Sequence, residues 1–406
     1  MIDVLNRTPS GPLRYPASSR SCSAFCESWL AALAAFGFSG GSQELLQAQG
    51  RFGLASWLPQ TGPLLGALAV GLVWAGRLPP AALTLAGAAT AALLLSTALA
   101  LLALRSGLGR PLFDRAHTAH LLALSWPFLL HRLGAHALDY MDALVVQRYL
   151  PLAAVGAYAV AYALNLNLRV PVLVLSPLIQ PQAISAHLAG RQEQTRWFYR
   201  RIAPQVALAV SLAAGLAVVG LPLIRRFVGP RFDAAALPLA LLLSGIGLHT
   251  LTVLMTPMFF AVKRVWVIIG ANLAMAGVNL ALDLALVPRI GLLGAAVGKL
   301  GADLTGVAAM SVCFRRQFGG RPLAAAGWGL PVWAAVAPAL LGAPWWGSLL
   351  GWLGAAGLAA ALGRGAGLFD EASAAFYARL GGPAWLRVPL LRLYRRWLVA
   401  PPRAGV

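Results

Sequence analysis

Residues 81–104 read AALTLAGAATAALLLSTALALLAL, twenty-four positions without a charge. One helix of about 20 such residues spans the hydrocarbon of a bilayer, where a backbone must satisfy its own hydrogen bonds. The rest of the chain repeats the theme. Of 406 residues, 59% are hydrophobic and 11% charged, and the mean hydropathy is +0.73. Soluble domains carry roughly a quarter charged residues, so an ordinary water-soluble protein is excluded. No strand alternation persists long enough for a membrane β-barrel. The expected fold class is all-α, a polytopic helical membrane protein.

Working outward from that block, apolar segments lie at 24–40, 54–76, 119–146, 153–181, 203–224, 235–261, 265–287, 290–313, 325–342 and 344–363. With 81–104 they make about eleven transmembrane helices by the 20-residue criterion. Turn chemistry separates them at Gly76 to Pro80, Pro288 to Gly291 and Gly319 to Pro322. The expected organisation is a polar segment 1–23, a partial amino-terminal lobe 24–104 of about three helices, and a basic connector 105–118 (RSGLGRPLFDRAHT). A second lobe with terminal helices, about eight in all, follows over 119–363, and an amphipathic tail covers 364–406.

The formal charge of +20 has two possible sources of meaning. Nucleic-acid binders gather basic and aromatic residues on one face. Here the arginines sit in short gaps between apolar blocks, as the positive-inside rule requires, so no nucleic-acid partner is expected and the partner is the bilayer. Arg105, Arg110 and Arg115 share one gap, and Arg191, Arg196, Arg200 and Arg201 share another two gaps later. Lys263 with Arg264, then Arg315, Arg316 and Arg321, continue the alternation to the arginine-rich tail. One gap, 225–233, carries Arg225, Arg226 and Arg231 on the opposite side. With the tail inside, the amino terminus falls outside, and residues 1–23 lack the order of a secretory signal. Cys22, Cys26 and Cys313 have no metal-ligand spacing and are odd in number. In the tail, 384–399 (AWLRVPLLRLYRRWLV) mixes arginine with aromatics. That pattern suits either the anionic membrane interface or a helix packed under the bundle.

A charge at the centre of a span costs about 2.5–3.5 kcal/mol on insertion scales, so the charges that persist there carry information. In 119–146, Arg132, His136 and Asp139 fall at i, i+4 and i+7, on one helical face. They pair among themselves or line a polar cavity, and Asp142 lies at a wet helix end or joins them. In 153–181, Asn165, Asn167 and Arg169 are central and precede Pro171 and Pro177, the makings either of a broken helix with an anion site or of a kinked packing helix whose Arg169 snorkels to an interface. In 265–287, Asn272, Asn279 and Asp283 share a face, the last two one turn apart. In 290–313, Lys299 and Asp303 are i, i+4; they pair, or Lys299 reaches Asp283 as a tethered cation. Gly291 to Gly298 (GLLGAAVG) has the spacing for close helix approach. Phosphate loops, HExxH and GxSxG are all missing, so the chain reads as a transporter rather than an enzyme, without cofactor or firm metal site.

Two passages carry a family resemblance. DALVVQRYLPLAAVGAYAVAYAL (142–164) and NLALDLALVPRIGLLGAAVGKLGADL (279–304) resemble the seventh-to-eighth and eleventh-to-twelfth helix junctions of the MOP superfamily, above all its Wzx-type oligosaccharide-lipid flippases. LLQAQGRFG (45–53) and FVGPRFDAA (227–235) fit the same frame. The resemblance covers roughly residues 40–365 and is specific for the superfamily, not for a substrate. It implies a MATE-like two-lobed fold in which 119–146 is the seventh helix, so that the amino-terminal lobe is incomplete by three helices.

It further implies translocation of an undecaprenyl-diphosphate-linked oligosaccharide across the bacterial inner membrane for cell-surface polysaccharide such as O-antigen or lipopolysaccharide. Alternating access would be coupled to a proton or sodium ion, with a polysaccharide polymerase and assembly proteins as partners. Arg132, Arg169 and Lys299 are the candidate cations for the diphosphate. His136, Asn165, Asn167 and Asn272 are candidate polar lining. Asp139, Asp142, Asn279, Asp283 and Asp303 are candidates for ion coupling, because related lipid II flippases place sodium between an Asp of the seventh helix and an Asn and Asp of the eleventh. Many Wzx-type sequences carry Asn where Asp283 stands, a departure that bears on the choice of ion. The alternatives are a small-molecule antiporter of the same superfamily, which favours an acid-dominated cavity, a non-transporting remnant, and a membrane polymerase or ligase, which calls for a long outer loop.

Overall fold

The computed structural model describes residues 82–105, 114–190, 192–229, 233–319, 322–379 and 384–399, with isolated positions between 65 and 77. The expected spans 24–40 and, for the most part, 54–76 lie outside the described residues, as does LLQAQGRFG. The chain divides into two compact units, Met1–Asp114 and Arg115–Val406. In the first, the uncharged block quoted above forms α1 (Ala82–Leu104).

The second unit is built of helices joined by short turns, with no strand among its described residues. Its elements are α2 (Arg115–Tyr149), α3 (Leu152–Leu188), α4 (Gln192–Trp197), a π-turn (Phe198–Ile202), α5 (Ala203–Val219) and α6 (Leu221–Val228). Then come α7 (Asp233–Ser244), α8 (Ile246–Ala261), α9 (Val265–Ile290), α10 (Leu292–Phe318), a 3-10 turn (Pro322–Gly329), α11 (Leu330–Leu340), α12 (Trp345–Gly365), α13 (Glu371–Arg379) and α14 (Ala384–Trp397). Every apolar segment expected after residue 80 is therefore helix. Among the described residues, four helices are each long and apolar enough to cross a bilayer: Phe198–Val219, α9, α10 and α12. The pair α7 and α8, bent by 44° at Gly245, makes a fifth. The protein is a multi-pass helical membrane protein.

Three features position the polar residues. First, α2 and α3 are 35 and 37 residues long, about 50 Å at 1.5 Å per residue, well beyond the hydrocarbon thickness. The expectation of a broken helix at Pro171 is corrected, because α3 continues helical through Pro171 and Pro177 to Leu188. A proline removes one backbone bond and bends a helix, and packing on both sides can carry the helix past it. The break lies in 235–261 instead, at Gly245.

Second, α9 and α10 form a hairpin turned at Gly291, whose φ of +62° and ψ of −138° only glycine adopts without strain. Along the seam, a Cβ at Gly294 would strike the backbone of Leu286 and Val287, and one at Gly298 would collide with Asp283 Oδ1. The glycines read from sequence as a close-approach stripe do bring the two backbones together.

Third, the core of the second unit is a continuous cluster of Leu, Ile, Val, Met and aromatic side chains from α3, α5, α7, α8 and α10. The tail packs on its end. Tyr394 of α14 donates a hydrogen bond to Gln205 Oε1 of α5 at 3.0 Å, and Gln205 Nε2 donates to Leu368 O at 2.8 Å and Ser373 Oγ at 3.1 Å. Of the two readings of 384–399, the packed helix is observed, with Val388, Arg392 and Leu393 left on its outer face.

Candidate functional site

Four buried polar layers lie among α2, α3, α8, α9 and α10. The first is an acid pair. Asp142 on α2 accepts a hydrogen bond from Tyr158 OH at 2.7 Å and another from Asn279 Nδ2 on α9. One turn beyond Asn279, Asp283 is fully buried, close enough to Asp142 for the two charges to interact. Neither of its carboxylate oxygens has a hydrogen-bond partner among the described residues. Gly298 is what admits this arrangement, since the hairpin seam closes on Asp283 itself. The alternative of a wet Asp142 at a helix end is corrected: the residue is 1% exposed.

The second layer is centred on Lys299. Its Nζ donates to Leu138 O at 2.8 Å, lies 3.6 Å from Asp139 Oδ1, and stands 5.5 Å above the Tyr162 ring. Tyr162 OH donates to the same Asp139 oxygen at 2.8 Å. Tyr158 and Tyr162, one turn apart on α3, stack with centroids 6.1 Å apart and so join the first layer to the second. Asp139 is the wettest member, its side chain 39% exposed.

The third layer crosses three helices. Arg169 Nη2 of α3 lies 3.4 Å from Asp303 Oδ2 of α10, and its Nη1 lies 3.3 Å from His249 Nδ1 of α8. The same histidine nitrogen is 3.2 Å from Asp303 Oδ1. The fourth is Asn165, fully buried on α3 with neither amide atom hydrogen-bonded.

Several expected pairings are corrected by these distances. Lys299 and Asp303 do not pair along their helix, nor does Lys299 reach Asp283; each finds a partner on another helix. Asp139 joins Lys299 and Tyr162 across the bundle. The Arg132 side chain lies outside the described residues. Arg169 and Lys299, expected as open cavity cations, are buried and paired with acids in this conformation. The reason is energetic: a charge held unpaired in low dielectric costs several kcal/mol, so each has recruited a neighbouring carboxylate.

Three of the proposed lining residues lie apart from the buried layers. Asn167 is exposed and donates to Ala163 O of its own helix at 2.8 Å. His136 is exposed, with its ring 6.0 Å from that of Tyr140. Asn272 is bonded to His131 Nδ1 at 2.8 Å. Sequence reasoning missed Tyr158, Tyr162 and His249. The first two had a signal, since Tyr158, Tyr162, Asn165 and Arg169 fall at i, i+4, i+7 and i+11 on one face of α3. His249 had none, being a lone histidine in an apolar segment.

Comparisons with known proteins meet this geometry from two sides. Residues 29–180 match the family described as polysaccharide biosynthesis protein, a stretch that contains the α2 and α3 contributions to every layer. No curated protein matches the chain in sequence. Among solved structures, the inward closed conformation of the lipid II flippase MurJ superposes with a TM-score of 0.61 at 13% identity, over 82% of this chain and 72% of that one. The bent form of the Vibrio cholerae MATE transporter VcmN superposes with a TM-score of 0.54 at 18% identity, over 73% and 70%. The chain shares the helical fold of these two proteins. The four layers occupy one unit, and their α8, α9 and α10 contributions lie outside the stretch matched by the family.

Proposed function

We propose that this protein is a flippase that carries an undecaprenyl-diphosphate-linked oligosaccharide from the cytoplasmic to the outer leaflet of a bacterial inner membrane. The observation that carries the reading is the buried acid pair: Asp142 and Asp283, on different helices, share a site with Asn279, and Asp283, which feels Lys299 only through space, has no hydrogen-bond or ion-pair partner among the described residues. Two apposed carboxyl groups out of water cannot both stay ionised and alone. They take up a proton or a sodium ion, and release of that ion changes how α2 sits against the α9–α10 hairpin. The match to a polysaccharide biosynthesis family over 29–180 and the similarity to a lipid II flippase favour a lipid-linked sugar as cargo.

Arg132, Arg169 and Lys299 meet the diphosphate in this reading. Arg169 and Lys299 are held by Asp303 and Asp139 here, so cargo binding exchanges a carboxylate for a phosphate at each. Polymerase and assembly proteins then act on the delivered oligosaccharide. A second reading, a small-molecule antiporter, would use the same acid pair and is favoured by the similarity to VcmN.

Complementation separates them. In a strain lacking its oligosaccharide flippase, the wild-type chain is expected to restore surface polysaccharide, whereas Asp142→Asn and Asp283→Asn are expected to fail with expression intact. Efflux of cationic drugs without restored polysaccharide would support the antiporter and overturn the flippase.

A further inference from the structure

The tail helix α14 presents two unlike faces. On one, Tyr394 and Leu398 pack on the cluster of Leu208, Ala359, Leu368 and Phe369. The Tyr394 ring meets those of Phe369 and Tyr377, each at 5.9 Å between centroids. The other face is exposed. Arg392 and Arg396 stand one turn apart along it, with Val388, Pro389 and Leu393 beside them. Arginines set among exposed apolar side chains match a membrane interface, where the apolar groups enter the acyl boundary and the charges stay with the headgroups.

The packed face fixes the level at which α14 lies. Gln205, which accepts the Tyr394 hydrogen bond, and Leu208 both belong to the span Phe198–Val219. At 1.5 Å per residue they lie about 10 and about 15 Å inside its start. By the same rise, Ala359 lies about 9 Å inside the end of the span Trp345–Gly365. A helix with contacts that far inside two spans rests at their ends, at headgroup depth, and not in the water beyond. This side of the bundle also borders lipid, because α12, which contributes Ala359, carries exposed Leu350, Leu353, Leu358 and Leu362.

Charge identifies the kind of lipid. Residues 364–406 hold seven arginines, with Asp370 and Glu371 as the only acids. Asp370 lies 3.9 Å from Arg201, and Glu371 lies 2.5 Å from Arg395. Both carboxylates therefore face arginines other than those at the centre of the outer face. We propose that the outer face of α14 is a docking surface for acidic phospholipid. Arg392 and Arg396 donate charge-assisted hydrogen bonds to lipid phosphates, while Val388 and Leu393 sink into the acyl boundary. The packed face holds the helix to the bundle and the outer face holds it to the leaflet. This surface is separate from the buried layers and does not depend on the cargo.

The test is hydrogen exchange of the amides between 388 and 398 in the full chain, at one pH. Nanodiscs of phosphatidylcholine alone are compared with nanodiscs containing about one-third phosphatidylglycerol, which makes the surface strongly negative. Wild-type exchange is expected to slow about tenfold in the acidic nanodiscs, two arginines each gaining from the negative surface, and the slowing is expected to shrink in concentrated salt. Arg392→Gln combined with Arg396→Gln keeps long side chains of good helix propensity. That double variant is expected to exchange alike in both nanodiscs. Arg289→Gln, an exposed arginine at the end of α9, is expected to keep the whole lipid effect. Equal wild-type exchange in the two nanodiscs overturns the docking surface, whether or not the variant keeps its tail packed. A lipid effect that survives in the double variant overturns it too. So does an effect lost in Arg289→Gln, which would assign the slowing to net charge and not to this face.

Discussion

The α9–α10 hairpin and the α7–α8 span use glycine in opposite ways. In the hairpin, Gly294 and Gly298 remove the side chains that would hold two backbones apart, and the seam closes over Asp283. In the bent span, Gly245 makes room for Asp303 and the helix breaks there. The hairpin is a close-packed wall beside the acid pair, whereas the span is a jointed element bent where Asp303 packs against Gly245.

The contrast is broken most severely by removing a buried charge from the jointed side. Arg169→Ala leaves Asp303 buried with only His249, and truncating one partner of a buried pair costs about 3–5 kcal/mol. Denaturant unfolding in detergent is expected to show a loss of that size, and a loss near zero would mean that water already reaches the pair. On the close-packed side, Gly298→Ala overpacks the seam against Asp283 and Asn279 O and is expected to cost about 1–3 kcal/mol. The control is Gly277→Ala on α9, where an added Cβ meets nothing within 4 Å. There the helix is expected to gain up to about 1 kcal/mol, and equal losses at the two positions would sink the seam argument.

A smaller effect is expected at the tail, which belongs to neither helix pair. Tyr394→Phe loses the hydrogen bond to Gln205, worth about 0.5–1.5 kcal/mol. Burial pushes the Tyr394 hydroxyl up to about 12, above the ordinary value of about 10. The raised value means that the packed tail holds the protonated phenol. Its contribution is complete below about pH 10 and is lost as pH rises toward about 12. Tyrosinate absorbance together with proteolysis of the tail checks this, and the Phe variant is expected to lack the transition.

Much of the hairpin was legible before any coordinates. The turn at Pro288 to Gly291, the glycine spacing and the Asn279/Asp283 turn all follow from helical periodicity and the conformations glycine allows. The charge pairing was not legible. Lys299 and Asp303 at i, i+4 suggest a pair within α10, but such a pair is worth only about 0.2–0.5 kcal/mol. Leaving Asp139 or Arg169 without a partner in a dry bundle costs several times more, so tertiary partners win. The same imbalance closed the cavity expected around Arg169 and Lys299. The site of the helix break was also hidden, because Pro171 and Pro177 are the local signals for a break, whereas Gly245 is one glycine within an apolar run and its neighbour Asp303 is distant in sequence.

The central claim is that the Asp142–Asp283 pair binds the ion that drives transport. Its most direct test is flipping of a lipid-linked oligosaccharide in proteoliposomes under imposed proton or sodium gradients, comparing wild type with Asp283→Asn. One of the two gradients is expected to accelerate wild-type flipping, and the variant is expected to lose that acceleration. Equal stimulation of both proteins would contradict the claim.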